Sequence, residues 1–289
     1  MNKADFLTQS APFSKWFADL ITEKLPLDFR HEQGIDRSLR SALERYRWPN
    51  KRIDIPTPRG LLSIAAHGSF AANAAVLLQL EIGLRRCLDA AQVDETELAN
   101  WAAAIMRWGG VYTKRGNGPW LDSKRASFSA YLRPVLRALS DTSGIAHLGI
   151  VDLRSNAGTT KIHSLALPQF VIYDSRVAGA LAWLVLRWSR HQNAAVPAHL
   201  RFACMRANTT KSKVKMRSPD ETLFPYFAAS GPLLAHQRHA TWNLRANWII
   251  SDALTRANAG AGQEKWSPRQ VEAALFMMGA DLAPAMRDC

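Results

Sequence analysis

Apolar residues recur along the chain at helical spacings while strictly alternating runs are scarce, so the pattern predicts a mostly α protein. Leu62–Leu88 is rich in alanine and leucine, lacks proline and carries glycine only at Gly68 and Gly83. It is expected to form one or two core helices. Glu95–Trp108 predicts a short amphipathic helix stopped by Gly109-Gly110. Ser127–Leu139 predicts another, interrupted at Pro134. In Asp174–Arg190, Val177, Ala180, Leu181, Leu184, Val185 and Trp188 share one helical face. Leu233–Ala257 and Ser267–Met278 complete the set, the last with Ser267 placed as N-cap and Pro268 at the first helical position. Strands are expected only at Lys51–Pro56 and His147–Leu153, with a short extended run at Phe170–Tyr173. Neither an internal repeat nor a low-complexity tract breaks this order.

Charge changes the picture more than bulk composition does. With 47% hydrophobic and 21% charged residues over 289 positions, bulk disorder is excluded. No stretch approaches the roughly 20 apolar residues of a membrane span. Asp5 lies near the N-terminus with no apolar run after it, which argues against a secretion signal. Cys87, Cys204 and Cys289 are too few for a disulfide framework and form no Cys-x-x-Cys pair, so a reducing cytoplasm is expected. The 37 Lys and Arg exceed the 24 Asp and Glu by a net +13, and the isoelectric point is near 10.1. Such a surplus draws polyanions, nucleic acid first among them. The basic residues gather in Asp36–Arg52, in Arg107–Arg125 among Trp108, Tyr112 and Trp120, and in Arg206–Arg217, which has no acid. Each run alone fits a solvated loop. Together they favour a surface that follows a phosphate backbone, with Lys211, Lys213 and Lys215 as contacts.

The segment richest in chemistry is Arg154–Ala180, which contains Lys161 and Asp174. Lys161 follows a turn of small polar residues, Ser155 to Thr160, and opens the apolar run Ile162–Leu167. A lysine at the head of an apolar helix is partly desolvated, which lowers its pKa and exposes a neutral amine. Asp174 follows Phe170-Val171-Ile172-Tyr173 and directly precedes a helix, where it caps backbone amides and sits beside developing positive charge. On the residues alone, a solvated lysine with a purely structural N-cap is the favoured reading.

The order of these features resembles the helix-hairpin-helix DNA glycosylases, the superfamily that includes 8-oxoguanine DNA glycosylase. Thr160-Lys161 resembles that family's hairpin pair, Leu167-Pro168-Gln169-Phe170 its proline-containing connection, and Val171-Ile172-Tyr173-Asp174 the approach to its aspartate. The likeness is confined to about this segment. The hairpin departs from the usual Leu-Pro-Gly-x-Gly, since Ser155-Asn156-Ala157-Gly158 offers one glycine, and a spacing of 13 between positions 161 and 174 is shorter than usual.

The resemblance implies one glycosylase-like unit over 1–289, built of two packed helical subdomains, 1–140 and 141–289, with the active-site cleft between them. It implies excision of a modified base from double-stranded DNA by a monomer, with Asp174 stabilising the oxocarbenium-like sugar. Lys161 serves either as a Schiff-base nucleophile or as a contact beside an attacking water. Asn156, Gly158, Thr160 and Arg176 would hold the DNA backbone. The target base must be flipped into a pocket, for which Trp108, Tyr112 and Trp120 are the candidate walls. Divergence of the hairpin points to a specialised role, such as removal of modified bases, for example glucosylated cytosines, from phage DNA.

Two other readings stand beside this one. A basic DNA-binding protein without catalysis would use the same charge, and a metal-dependent nuclease would need clustered carboxylates that are sparse here. His236 and His239 are spaced to face one metal but lack a third ligand, and His163 points away from Lys161 on a helix. With no phosphate loop, no dinucleotide fingerprint and too few cysteines for an iron–sulfur cluster, no cofactor and no metal are expected.

Overall fold

The computed structural model describes residues 1–207, 214–228, 232–260 and 264–287. It is mostly helical, with two small antiparallel hairpins. The long N-terminal helix α1 (Lys3–Ile21) starts where Asn2 accepts a hydrogen bond from the Asp5 amide at 2.8 Å. A hairpin of β1 (Phe29–His31) and β2 (Gly34–Asp36) follows, with Arg30 opposite Ile35. The short α2 (Leu39–Glu44) opens with a capping box between Ser38 and Ser41. The second hairpin pairs β3 (Ile53–Thr57) with β4 (Gly60–Ile64), Ile55 facing Leu62.

Helices then dominate: α3 (Phe70–Asp89), α4 (Glu95–Trp108), α5 (Asn117–Lys124), α6 (Phe128–Ser140), α7 (Thr159–Ala166), α8 (Ser175–His191), α9 (Leu233–Ala257) and α10 (Pro268–Met278). Their caps follow the sequence. Asp94 accepts from the Glu97 amide, Asp174 from Arg176 and Val177, and Ser267 from Gln270 with a reciprocal bond back.

Several expectations are corrected. Leu62–Ile64 belongs to β4, because Gly60, at φ +119°, closes a hairpin that the alanine-rich run after it conceals. The helix predicted there begins only at Phe70, behind the N-cap Ser69. Helix α6 runs unbroken through Pro134. The strand expected at His147–Leu153 is a single 3-10 turn at Ala146–Gly149 followed by loop, with the buried His147 bonded to Thr241 at 2.8 Å. Phe170–Tyr173 is a loop that joins no sheet among the described residues.

The packing also crosses the division expected at residue 140. Helix α1 packs along α9, and α2 packs on α10, which packs in turn on α8. Helices α3, α4 and α7 form a second group. The two ends of the chain therefore build one layer together, while the middle builds the other. Phe6 against Trp248, at 5.7 Å between ring centroids, ties the first helix to α9. Among the described residues no helix is long and apolar enough to cross a membrane.

Candidate functional site

Where the two groups of helices meet, the connection 154–176 is held almost entirely by side chains. The Asn156 carboxamide oxygen accepts from the Gly158 and Thr159 amides, at 2.8 and 3.1 Å, and so starts α7. Its nitrogen donates to Asn117 Oδ1 at 3.1 Å. Thr160 Oγ1 accepts from the Tyr173 amide at 3.1 Å and from Asn243 Nδ2 at 2.9 Å. The Val171 amide donates to Asn247 Oδ1 and the Ile172 amide to Glu272 Oε2, both at 2.6 Å. Three successive backbone donors that a sheet would have paired are thus satisfied by residues of α9, α10 and α7.

That scaffold fixes Asp174 and Lys161 relative to each other. Asp174 Oδ1 accepts from the amides of Arg176 (2.9 Å) and Val177 (3.1 Å), and Oδ2 lies 3.9 Å from Lys161 Nζ. The ammonium also donates to the Ala157 carbonyl at 2.7 Å. Lys161 is only 6% exposed. Burial lowers its pKa, against the opposing pull of Asp174 and then Glu272, with Arg176 adding to the depression. Gly109 makes room for the lysine stem: a Cβ there would stand 2.3 Å from Lys161 Cδ and Cε.

Both groups face a cavity of about 370 Å³. Trp48, Trp108 and Phe276 supply aromatic wall, while Glu272 and Arg217 add charged groups to the lining. Burial raises the Glu272 pKa, opposed first by Arg269, whose guanidinium lies 2.6 Å away. Trp48 Nε1 donates to the Trp108 carbonyl at 3.1 Å, and Trp108 Nε1 donates to Asn73 Oδ1 at 3.0 Å, so both indoles are fixed.

The structure brings Lys161, Asp174, Trp108 and Arg176 to this one cavity. Tyr112 and Trp120 are not among its lining residues. Tyr112 lies beneath the Arg107 guanidinium, 4.3 Å from its ring, and Trp120 packs edge-on to Tyr131 at 5.4 Å. Asn156 and Thr160 are buried with their polar atoms used inside the protein, and Gly158 lies tightly against Asn117, so these three support the fold instead of meeting a phosphate. Lys215 lines an adjoining cavity of about 320 Å³ with Arg47, His67 and Arg176. Lys211 and Lys213 lie outside the described residues.

Sequence reasoning missed Trp48, Glu272 and Phe276, and placed Arg217 only at the end of the basic run Arg206–Arg217. The available signal was a glutamate and a phenylalanine four apart on one face of α10, and a tryptophan within the basic run Arg45–Arg52. The histidines are structural. His239 bonds Ser155 Oγ (2.8 Å) and the Tyr173 carbonyl (2.9 Å), and His236 meets the Ser155 carbonyl at 2.8 Å. Burial pushes the pKa values of His163 and His239 down to about 3. Among the described residues no group of three or more His, Cys, Asp or Glu is placed to hold a metal ion. Compared with protein-family models, curated proteins and solved structures, the chain matches none.

Proposed function

We propose that this protein is a DNA glycosylase that flips a modified base out of the duplex and cleaves its N-glycosidic bond. One observation carries the reading: a buried lysine amine and a carboxylate, 3.9 Å apart, face the same aromatic-walled cavity in a strongly basic protein. A lowered pKa raises the fraction of neutral amine at Lys161. In the proposed step that amine forms a bond to the sugar's anomeric carbon as the glycosidic bond breaks. The bonding pair leaves with the base, which takes a proton; the ammonium so formed then passes one proton to the ring oxygen as the C1′–O4′ bond breaks, and the nitrogen lone pair closes the C1′=N bond of a protonated Schiff base. Asp174 stabilises the positive charge that develops on the sugar. Trp48 and Phe276 offer the aromatic faces for the flipped base.

The test is a panel of DNAs, unmodified, oxidised, alkylated, uracil-containing and from phages with modified cytosines, incubated with the wild type and Asp174→Asn. Abasic sites formed on one substrate and lost in the variant are expected, with a borohydride-trapped adduct through Lys161. Release of base by Asp174→Asn at the wild-type rate would refute the assignment. We place the substrate among modified cytosines, glucosylated ones included, in phage DNA, with the protein acting as a monomer in the cytoplasm. Cells carrying the protein then resist phages with hypermodified DNA and not those with ordinary DNA; equal plating of both removes this role. A non-catalytic DNA-binding reading draws on the Ala157 carbonyl, which gives Lys161 an internal partner at 2.7 Å. It expects salt-sensitive binding with no product on any substrate.

A further inference from the structure

The cations on the cavity wall are not equally neutralised. Lys161, Arg206 and Arg269 have carboxylate partners, Asp174 at 3.9 Å, Glu221 at 3.7 Å and Glu272 at 2.6 Å. Arg176 and Arg217 have no carboxylate partner among the described residues. The Arg176 guanidinium makes no hydrogen bond within that set and lies over the Phe276 ring, 4.1 Å from its centroid. Arg217 is 5% exposed and donates from Nη1 to the Gly279 carbonyl, yet its buried Nε has no partner among the described residues. An unpaired guanidinium N–H in a protein interior is costly, and it persists where something outside the chain completes it.

The backbone drives these two arginines together. Gly279 ends α10, and a Cβ there would stand 1.9 Å from the Arg176 carbonyl oxygen, so only glycine lets the start of α8 pack so close. The same Gly279 presents its carbonyl to Arg217. Gly179 of α8 also lets the chain approach until a Cβ would lie 2.7 Å from the Arg217 carbonyl oxygen. Two like charges are thereby held near each other on a partly dry wall. Burial first, and Arg176 next, bring the Arg217 pKa down to about 10, so it remains charged at neutral pH. Asp174 offsets this in part for both arginines, and Asp281 for Arg217, but neither carboxylate forms an ion pair with them among the described residues.

We propose that Arg176 and Arg217 form an oxyanion subsite in this cavity that takes a phosphate group. Forked guanidinium donors match the tetrahedral oxygens of phosphate, and the anion removes the repulsion between the two arginines. Arg176 also lines the adjoining cavity with Arg47 and Lys215, which gives an anionic chain a basic path away from the subsite. The proposal rests on the DNA reading only for the source of the phosphate. In that reading it is a phosphodiester next to the flipped nucleotide; the other source is free phosphate.

The experiment is calorimetric titration of inorganic phosphate into the full chain at fixed ionic strength, with chloride as the control anion. Saturable binding by the wild type is expected, weakened at least tenfold in Arg176→Gln and in Arg217→Met. Because Arg217 also holds Gly279, its variant is liable to misfold, and Arg176→Gln then carries the test alone. Absence of saturable phosphate binding by the wild type overturns the proposal, as does equal binding by Arg176→Gln. Titration of a five-nucleotide single strand in the presence of phosphate separates the sources. Competition assigns the subsite to a phosphodiester, and phosphate binding without competition assigns it to free phosphate. None of these outcomes depends on base release, so a failure of the glycosylase reading would leave the subsite standing.

Discussion

Replacing Thr160 with valine separates a structural hydroxyl from a DNA-binding one. Thr160 is fully buried, and its Oγ1 is the shared acceptor for the Tyr173 amide at 3.1 Å and for Asn243 Nδ2 at 2.9 Å. Valine keeps the shape, so no cavity opens, but it leaves both donors buried without a partner. Each such donor costs about 1–3 kcal/mol, which makes about 3 kcal/mol a working figure for the pair. Chemical denaturation followed by circular dichroism measures it as a lowered urea midpoint with an unchanged slope. Thr160→Ser, which keeps the hydroxyl, recovers most of the loss. A phosphate contact behaves differently: the variant would be about as stable as wild type, and the log–log salt slope of DNA binding would fall by roughly one phosphate's share, about 0.9. A loss below about 0.5 kcal/mol together with a reduced salt slope refutes the structural reasoning.

Three further outcomes follow from the same geometry. Gly109→Ala places a Cβ 2.3 Å from the Lys161 stem, so stability falls by about 1–3 kcal/mol. Under the proposed reaction, borohydride trapping slows on the order of a hundredfold; unchanged trapping would show that the position of Lys161 does not govern that step. Ser267→Ala removes the capping box of α10 and costs about 1 kcal/mol in thermal or urea unfolding, and a neutral effect would show that α10 does not rely on its cap. His163 has a folded pKa of about 3 against an ordinary 6.5. The unfolded chain therefore binds a proton that the fold refuses, and stability present above pH 6.5 is lost as pH falls toward 3. The slope is about 1.4 kcal/mol per pH unit. His163→Leu flattens the acid limb of a stability–pH curve by that amount, whereas an unaltered limb would show that His163 takes up its proton as readily in the fold as in the unfolded chain.

Helices whose caps and apolar faces agree were legible from the residues. The spans of α4, α8, α9 and α10 follow Asp94, Asp174, the apolar period of Leu233–Ala257, and Ser267-Pro268. Helix α1 was hidden because its buried face mixes Phe6, Phe13 and Phe17 with Ser10 and Ser14, all fully buried. The Ser14 hydroxyl donates to Asp252 of α9, a partner that no local pattern reveals. The run at 147–153 failed for the opposite reason. Its apolar residues look like a strand, but Ile150 is half-buried and Val151 is 85% exposed, so no sheet face is present to receive them.

The candidate site divides along the same line. Lys161 and Asp174 were legible because each sits at a helix start where the residues on either side constrain it. The remainder of the wall comes from α10, from the loop at Trp48 and from Arg217, segments far apart in sequence that converge only when α2 and α8 pack on α10. Yet a physical signal was present. Asn243 and Asn247 lie on the buried face of α9, and Glu272 on that of α10, where each is intolerable without a partner. Phe170–Tyr173 has the reverse deficit, a buried backbone run with no strand among the described residues to take its amides. Buried polar side chains without local partners and a backbone segment without a ladder resolve each other, and their junction is where Asp174 is aimed at Lys161.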